Sequence, residues 1–382
     1  RTKSLEDRLS DRLHDELIKS FIDKRASVLA KGLKQDITLD TKILEGKKVM
    51  INNQFIGQLK GLKLELDYKV GSFDTDIKSL KKAARQNVGP EIINRIKSIT
   101  KGNDVELKND LKIYWNSFPI AQLAAGKDYL NPDIKLIIDD MIENDDQAKL
   151  TKHLISWMQN KINYELKSLI DLKNIENSNS LVRALAFRIY EGNGVVKRNE
   201  VENFLSQLEQ KDRKVLRTIG VRFGRYHIFL YKLLKPKPVM MRVILWKNYY
   251  QKYLNLNIPK FGLNFLYNGK GLNQNFMLIC GFEKFNNIYV RIDILERLFL
   301  MIFEIGKNEK KEIKLKPEML NLLGCSKENF IKLIENMDYK TFNKNDEIFF
   351  KYSPKKKFRK INEKNKITVD NPFNVLKEMS IK

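Results

Sequence analysis

The chain contains few cysteines and few histidines, and this scarcity argues against several kinds of site. Its 382 residues include only two cysteines, Cys280 and Cys325, far apart in the sequence. Such sparse cysteines argue against a disulfide scaffold or a zinc ribbon and favour a reducing compartment. The three histidines, His14, His153 and His227, are scattered along the chain. They give little support to a histidine-based metal site or to a Ser-His-Asp triad.

Long apolar runs are also lacking. The longest run of aliphatic and aromatic residues, Leu298–Phe303, is far too short to span a bilayer. The chain opens with the polar stretch Arg1–Ser4, which has neither an initiator Met nor the pattern of a signal peptide. These features predict a cytoplasmic protein without a membrane partner. They also predict that the chain is the C-terminal part of a longer polypeptide.

Motifs for nucleotide binding and catalysis are absent from the sequence. There is no G-x-x-x-x-G-K-[ST] phosphate loop, since Gly269–Gly271 and Gly306-Lys307 lack the rest of the pattern. One acidic cluster has the chemistry to hold Mg²⁺ for a nuclease, but its spacing is typical of the end of a solvated helix and its loop. Its members are Asp139, Asp140, Glu143, Asp145 and Asp146. We therefore assign no catalytic residue, metal ligand or cofactor to this chain itself.

Positive charge is what the chain has in excess. It carries 71 Lys and Arg against 47 Asp and Glu, a formal net charge of +24, with a pI of about 9.7. This balance favours a polyanion such as nucleic acid as the partner. Lysine, asparagine and isoleucine are abundant throughout, as an AT-biased genome would produce. Arginine clusters are therefore the safer indication of a binding surface.

The segment Lys211–Lys260 concentrates this charge. Its 50 residues include 13 Lys and Arg but only one acid, Asp212, so it holds half of the net charge. Five of the cations are arginines, and eight aromatic residues are interleaved with them. Because cations attract phosphate and flat rings stack on bases, this pattern favours nucleic-acid binding. The alternative is a buried helical pair whose solvent face is basic.

Candidate binding residues follow from this segment. The expected phosphate contacts are Arg217, Arg222, Arg225, Lys232, Lys235 and Arg242. The candidates for base stacking are Phe223, Tyr226 and Trp246, although aromatic residues at helical spacing more often face the core.

Arg222 and Arg225 are expected to act together. A helical turn around Phe223-Gly224 would place both guanidinium groups on one side. The alternative is an ion pair with Asp212 or Glu209 that holds helices together.

Periodicity predicts an α+β fold, mostly α, in which a helical accessory domain is combined with small β-hairpin modules and a C-terminal winged-helix-like domain. The predicted division is a linking helix (1–36), two small β modules with an intervening helix (37–127), a helical domain with the basic stretch (128–258), the winged-helix-like domain (259–352) and a disordered basic tail (353–382). The tail is expected to be dispensable for folding, since it offers little apolar surface to bury.

Local patterns predict individual elements. Strands around Asn52-Asn53 form a hairpin, and the helix 74–98 is broken at Gly89-Pro90. A helical stretch begins at Asn131-Pro132. Further helices are predicted at 149–172, 180–191, 198–210 and from Pro238 to about Leu254.

Two short stretches suggest an internal repeat. Residues 56–59 read IGQL and residues 120–123 read IAQL, each followed by a glycine. A duplicated small sheet module and chance similarity both account for so few positions.

The residues 288–352 are expected to form a strand, an apolar helix, a helix-turn-helix at 317–337 and two strands, 339–342 and 347–352. Ser326 is the expected cap of the second helix of the pair. This order is that of a winged helix. Any pair of antiparallel helices with a trailing strand pair has the same pattern.

Several stretches resemble the region after the motor core of alphaproteobacterial superfamily II helicases. The strongest is Gly220–Tyr226, GVRFGRY, followed by Phe229-Leu230, Leu233–Pro236, Arg242 and Leu245-Trp246. The others are Ser4–His14, Phe21–Arg25, Ala184–Arg188, Arg291–Leu298 and Leu322–Ser326. These bacterial helicases are similar to mitochondrial degradosome-type RNA helicases.

This resemblance implies a function. The chain would be the C-terminal accessory region of an ATP-dependent helicase in the bacterial cytoplasm, guiding or clamping RNA or DNA. Two RecA-like domains upstream in the same polypeptide, absent from this chain, would bind ATP and Mg²⁺. The alternative is a non-enzymatic adaptor that binds RNA or ribosomes.

Overall fold

The computed structural model describes most of the chain. The described residues are 6, 8–17, 41–44, 47–51, 54–66, 74–102, 104–139, 142–175, 179–251, 254–267, 272–308, 312–344 and 347–353. The predicted turn at Asn52-Asn53, the acidic residue Asp140 and the predicted tail from residue 354 lie outside them. Residues 8–17 are helical, as predicted for that part of the linking helix.

The architecture is α+β with more helix than strand, and the strands form small antiparallel sheets, as predicted. The helices are α1 (Asp74–Lys101), α2 (Asn144–Glu165), α3 (Lys167–Lys173), α4 (Ser180–Glu191), α5 (Glu202–Gln207), α6 (Gln210–Ile219), α7 (Pro236–Tyr250), α8 (Gln274–Ile279), α9 (Ile292–Asn308), α10 (Pro317–Leu323) and α11 (Lys327–Asn336). Short 3₁₀ helices occupy Arg198–Glu200 and Tyr231–Leu234. None of the described helices combines the length and the apolar character that crossing a bilayer requires.

The strands fall into five sheets. They are β1 (Thr41–Leu44), β2 (Lys48–Ile51), β3 (Gln54–Lys60), β4 (Lys63–Leu66), β5 (Val105–Leu107), β6 (Lys112–Trp115), β7 (Phe118–Asp128), β8 (Asn131–Leu136), β9 (Val195–Lys197), β10 (Val221–Phe223), β11 (His227–Leu230), β12 (Phe265–Tyr267), β13 (Phe282–Phe285), β14 (Ile288–Arg291), β15 (Ile313–Lys314), β16 (Tyr339–Lys344) and β17 (Glu347–Tyr352). The sheet orders are β1-β2-β3-β4, β5-β6-β7-β8, β10-β11-β9, β12-β14-β13 and β15-β17-β16.

The chain forms two compact units, residues 1–296 and 297–382, and the boundary lies within helix α9. It falls inside the segment predicted as the winged-helix-like domain. Strands β12, β13 and β14 therefore belong to the first unit.

The first unit contains a duplicated module of four strands and one helix. Sheets β1–β4 and β5–β8 have the same strand order, and each is followed by a long helix, α1 or α2. The strand register shifts between Val49 and Met50 in one sheet and between Ile113 and Tyr114 in the other. Both shifts fall at the same place in the second strand, so the two sheets match in register as well as in strand order. This match confirms the duplicated sheet module and argues against chance similarity.

The two helices of the duplicated module each bury a set of apolar residues. The buried residues are Val88, Ile92, Ile96 and Ile99 in α1, and Leu150, Leu154, Met158 and Ile162 in α2. Each set recurs at helical spacing, so one stripe faces the core. Matching strand order and matching register together make the module a repeat of about 60 residues, the size of a small domain.

Helix α1 corrects the predicted break at Gly89-Pro90, because it runs without interruption through both residues. Proline lacks the N–H donor of a helical hydrogen bond and crowds the preceding turn. Val88 and Ile92 on either side are buried. Their packing outweighs the local preference of proline at this point.

Strand β8 corrects the prediction of a helical stretch from Asn131. The strand lies at the edge of its sheet, where Pro132 is tolerated since no ladder donor is needed on the open side. The side chain of Asp128 accepts hydrogen bonds from the backbone N–H groups of Leu130 and Asn131, at 2.9 and 3.0 Å. This local turn joins β7 to β8 and replaces the predicted helix start.

Other predicted helices differ in their limits. The helix at 180–191 is confirmed as α4. The predicted helix 149–172 is divided into α2 and α3 at Leu166, and the one at 198–210 consists of a 3₁₀ turn, α5 and the start of α6. Helix α7 begins at Pro236 and ends at Tyr250, with Gln251 in the left-handed region.

Helix α7 is buried over most of its length and packs on the second sheet of the duplicated module. The Asn248 side chain donates a hydrogen bond to the carbonyl oxygen of Ala124 at 2.7 Å. The Tyr129 hydroxyl donates to the carbonyl oxygen of Arg242 at 2.8 Å. These bonds join the basic segment to the rest of the first unit.

The second unit confirms the predicted helix-turn-helix and the strand pair after it. The order α9, β15, α10, α11, β16, β17 and the sheet order β15-β17-β16 are those of a winged helix. Gly324 ends α10 in the left-handed conformation, and the Ser326 hydroxyl accepts from the Asn329 N–H, the predicted cap. Met319, Phe330 and Phe350 are buried.

Candidate nucleic-acid interface

Residues 217–235 fold into a feature that we call the basic hairpin. Gly220, with φ of 110°, ends α6 in the left-handed region, and strands β10 and β11 then pair antiparallel. Strand alternation buries Val221 and exposes Arg222. Arg225 lies in the turn between the strands. The prediction that Arg222 and Arg225 share a helical turn is therefore wrong, since the glycines and β-branched residue here favour a strand and a turn.

An exposed aromatic ring lies close to two cations of the basic hairpin. The Tyr231 side chain, in the 3₁₀ turn after β11, is 39% exposed. The guanidinium carbon of Arg222 lies 5.4 Å from the centroid of this ring, and the Lys235 Nζ lies 5.9 Å from it. Both cations are at the distance of a cation–π contact. An exposed ring with positive charge close by suits a base and its neighbouring phosphates.

A third cation of the basic hairpin also lies over an aromatic ring. Arg217, in the last turn of α6, is exposed, and its guanidinium carbon lies 5.6 Å from the Phe223 ring centroid. Phe223 is only half-buried but packs against the main core. The Phe223 ring therefore packs against the core and also contacts Arg217.

Five of the six predicted phosphate contacts are exposed. They are Arg217, Arg222, Arg225, Lys232 and Lys235. Within the described part of the chain, none of the five forms an ion pair. The acids considered as alternative partners are engaged elsewhere. Glu209 and Asp212 form the capping box of α6, and Glu209 also pairs with Lys211 at 2.9 Å.

Arg242 corrects one prediction. Its side chain is fully buried, and its guanidinium donates hydrogen bonds at 2.9 Å to the carbonyl oxygens of Asn193 and Leu233. Burial lowers the pKa of this guanidinium. Arg242 holds the backbone of the first unit together and is not placed to contact a phosphate.

Trp246 is a core residue rather than a stacking platform. It is 4% exposed and packs against Phe276 and Tyr250, with ring centroids 5.8 and 5.2 Å away. This confirms the inward-facing alternative for Trp246. Tyr226 is half-buried, and its backbone N–H donates to the Glu296 carboxylate at 3.0 Å.

A buried charge cluster lies directly beneath the turn of the basic hairpin. His227 is 2% exposed, with its ring between the carboxylates of Glu283 and Glu296. The Lys197 Nζ lies 2.8 Å from Glu283 Oε1. No local sequence pattern predicts this cluster, because its members lie on four different elements. The local signals were the lone histidine after Gly224 and the two acids in apolar surroundings.

The predicted acidic cluster does not converge on one point in the described residues. Asp139 is buried, whereas Asp145 and Asp146 lie in the first turn of α2, where negative charge stabilises the helix dipole. Asp146 pairs with Lys149 at 3.3 Å. The arrangement is that of a helix start.

Comparison with known proteins adds no relative. No protein-family model, curated protein or solved structure matches the chain.

Proposed function

We propose that this chain binds nucleic acid through the basic hairpin, as the C-terminal accessory region of an ATP-dependent helicase that guides or clamps a strand beside an upstream motor core. One observation carries the binding proposal: exposed cations that form no ion pair within the described residues lie close to the exposed Tyr231 ring. The helicase context rests on the resemblance of GVRFGRY and the stretches around it.

The chemistry of the basic hairpin suits a single strand. Arginine binds two phosphate oxygens at once through its planar fork and keeps its charge at any working pH. Tyr231 offers a face on which a base of any identity can stack. With Arg222 and Lys235 close to the ring, backbone phosphates and a base are recognised together without reading sequence.

The purified chain is expected to bind single-stranded polynucleotide with a strong salt dependence. Each neutralised phosphate contributes about −0.7 to the slope of log K against log salt, so five engaged cations would give a slope of about −3.5. A fluorescence anisotropy titration of a labelled homopolymer between low and moderate salt measures the slope. A slope near zero would contradict a phosphate-tracking role.

The purified chain is also expected to show no ATP hydrolysis stimulated by nucleic acid, because its sequence has no phosphate loop. The same assay on the gene product extended upstream of Arg1 distinguishes the two functions that remained open. Stimulated hydrolysis by the extended protein supports the helicase, whereas its absence supports the adaptor. Hydrolysis by the present chain alone would refute the assignment of the motor to upstream domains.

A further inference from the structure

The turn between β10 and β11 is held from below by one carboxylate. Three consecutive backbone N–H groups, those of Arg225, Tyr226 and His227, donate to the carboxylate of Glu296. The bonds from Tyr226 and His227 measure 3.0 and 2.8 Å. Glu296 belongs to the first turns of α9, far away in sequence, and its side chain is 7% exposed. The position of Arg225 therefore depends on a buried acid.

Gly224 shows how closely the turn approaches this acid. A Cβ atom at position 224 would lie 2.3 Å from the carboxyl carbon of Glu296. Only glycine leaves room for the contact, because the nearest atoms would otherwise overlap. Arg198 steadies the other side of the turn, donating from its guanidinium to the Gly224 carbonyl oxygen at 3.0 Å.

His227 is placed so that only its protonated form satisfies both neighbours. Its Nδ1 lies 3.2 Å from Glu296 Oε1, and its Nε2 lies 3.0 Å from Glu283 Oε2. The imidazolium ion has two N–H donors, whereas neutral imidazole has one. Loss of the proton would turn a ring lone pair towards a carboxylate, which is repulsive in a buried site.

The charges around His227 favour the proton. Burial acts to lower the pKa of His227, but hydrogen bonds from its ring to Glu283 and Glu296 outweigh it and raise the pKa above the ordinary value of 6.5. Burial acts to raise the pKa of Glu283, but hydrogen bonds from His227 and Lys197 outweigh it and lower that pKa. The other charged groups beside the turn, Arg198 and its partner Glu202, lie 3.4 Å apart and are more exposed.

We propose that Glu296 is a positioning residue for the nucleic-acid site, and that protonated His227 completes a buried clasp, which fixes the turn that carries Arg225 and follows the strand of Arg222. This inference rests on the proposed function and adds its regulation. When His227 loses its proton, the two carboxylates face one cation fewer, the hold of Glu296 on the turn weakens, and the two arginines are no longer fixed. Nucleic acid then binds less tightly.

The direction with pH follows from the geometry. His227 stabilises the clasp fully below 6.5, and this stabilisation is lost as the pH rises through the raised pKa of the folded state. Affinity is therefore expected to fall by about fivefold or more as the pH rises through that value, the usual range for coupling between two sites. Arginine does not titrate in this range, so the change does not come from the contacting groups.

The test measures homopolymer affinity of the full chain from pH 6 to 9, with hydrogen exchange of the 225–227 amides followed in parallel. The parent is expected to lose affinity and amide protection over the same pH range. His227→Gln removes the titrating group and is expected to flatten both profiles. His153→Gln is the matched control, because His153 lies on α2 outside the clasp, and it should keep the parent profile.

Two further variants keep the test decisive if His227→Gln does not fold. Lys197→Met removes a cation that shares Glu283, so the midpoint of the pH profile should move upward. Glu283→Gln removes a partner of the imidazolium, so the midpoint should move downward. Opposite shifts from two neighbours are not expected of residues that only stabilise the fold.

The outcomes separate the two proposals. Absence of binding at every pH overturns the nucleic-acid function and with it the regulation. Binding whose affinity does not change with pH overturns the clasp alone, whether or not the amide protection changes. Retained pH dependence in His227→Gln also overturns it.

Discussion

The double variant Arg222→Ala/Arg225→Ala is expected to fold with an almost unchanged melting temperature and to bind single-stranded polynucleotide about tenfold or more weakly. Both side chains are exposed and, within the described residues, neither forms an ion pair, so folding loses little with them. Binding loses charge-assisted contacts to phosphate, each contributing about 0.5–1 kcal/mol at solvent-exposed positions. The salt slope should become shallower by roughly one to two units, since up to two phosphates are no longer neutralised. Anisotropy titrations at several salt concentrations measure both quantities.

The matched control is Lys97→Ala/Lys101→Ala. It removes the same number of positive charges from exposed positions of α1, outside the basic hairpin. If net charge alone attracted the strand, the control would weaken binding as much as the arginine variant. An arginine variant that binds as tightly as the parent, or one that unfolds, would require the site assignment to be withdrawn.

Arg242→Ala is expected to lower the free energy of unfolding by about 3–5 kcal/mol, the range for removing a large buried side chain. The substitution leaves a cavity beside α7. It also removes the donors that satisfy the carbonyl oxygens of Asn193 and Leu233. Buried carbonyls without partners add the cost of their lost hydration. Urea unfolding followed by tryptophan fluorescence reports the change, since Trp246 lies one turn further along the same buried helix.

Lys237→Ala provides the control for Arg242. It removes one positive charge from the same helix at an exposed position, and the expected change is within about 0.5 kcal/mol. Arg242→Lys keeps the charge but lacks the fork that reaches two carbonyls, so an intermediate loss is expected. A loss below about 1 kcal/mol for Arg242→Ala would show that the buried guanidinium is not an important stabilising contact.

Much of the local structure could be predicted because it depends on neighbours in the chain. The hairpins, the helix α4 and the helix-turn-helix with its strand pair are determined by residue period and by caps such as Ser326. Two of the mispredicted elements contain a proline. In α1 and β8, packing and edge position outweighed the local preference of Pro90 and Pro132.

The candidate site shows the same division. Charge density indicated residues 211–260, but it could not separate the exposed Arg222 from the buried Arg242, since both are arginines in one basic segment. The apolar residues on both sides of Arg242, in VMMRVILW, were the available signal of a helix buried all round.

By itself the sequence determined the excess of positive charge, the α+β class, and the strands and helices whose patterns are complete within a few residues. Only the tertiary structure decided which cations face solvent and which acid holds the turn that carries Arg225. Burial depends on surfaces that meet only after folding, as α7 meets β7. The clasp joins His227 to Glu283 and Glu296 across 56 and 69 positions, a pairing that no local pattern encodes.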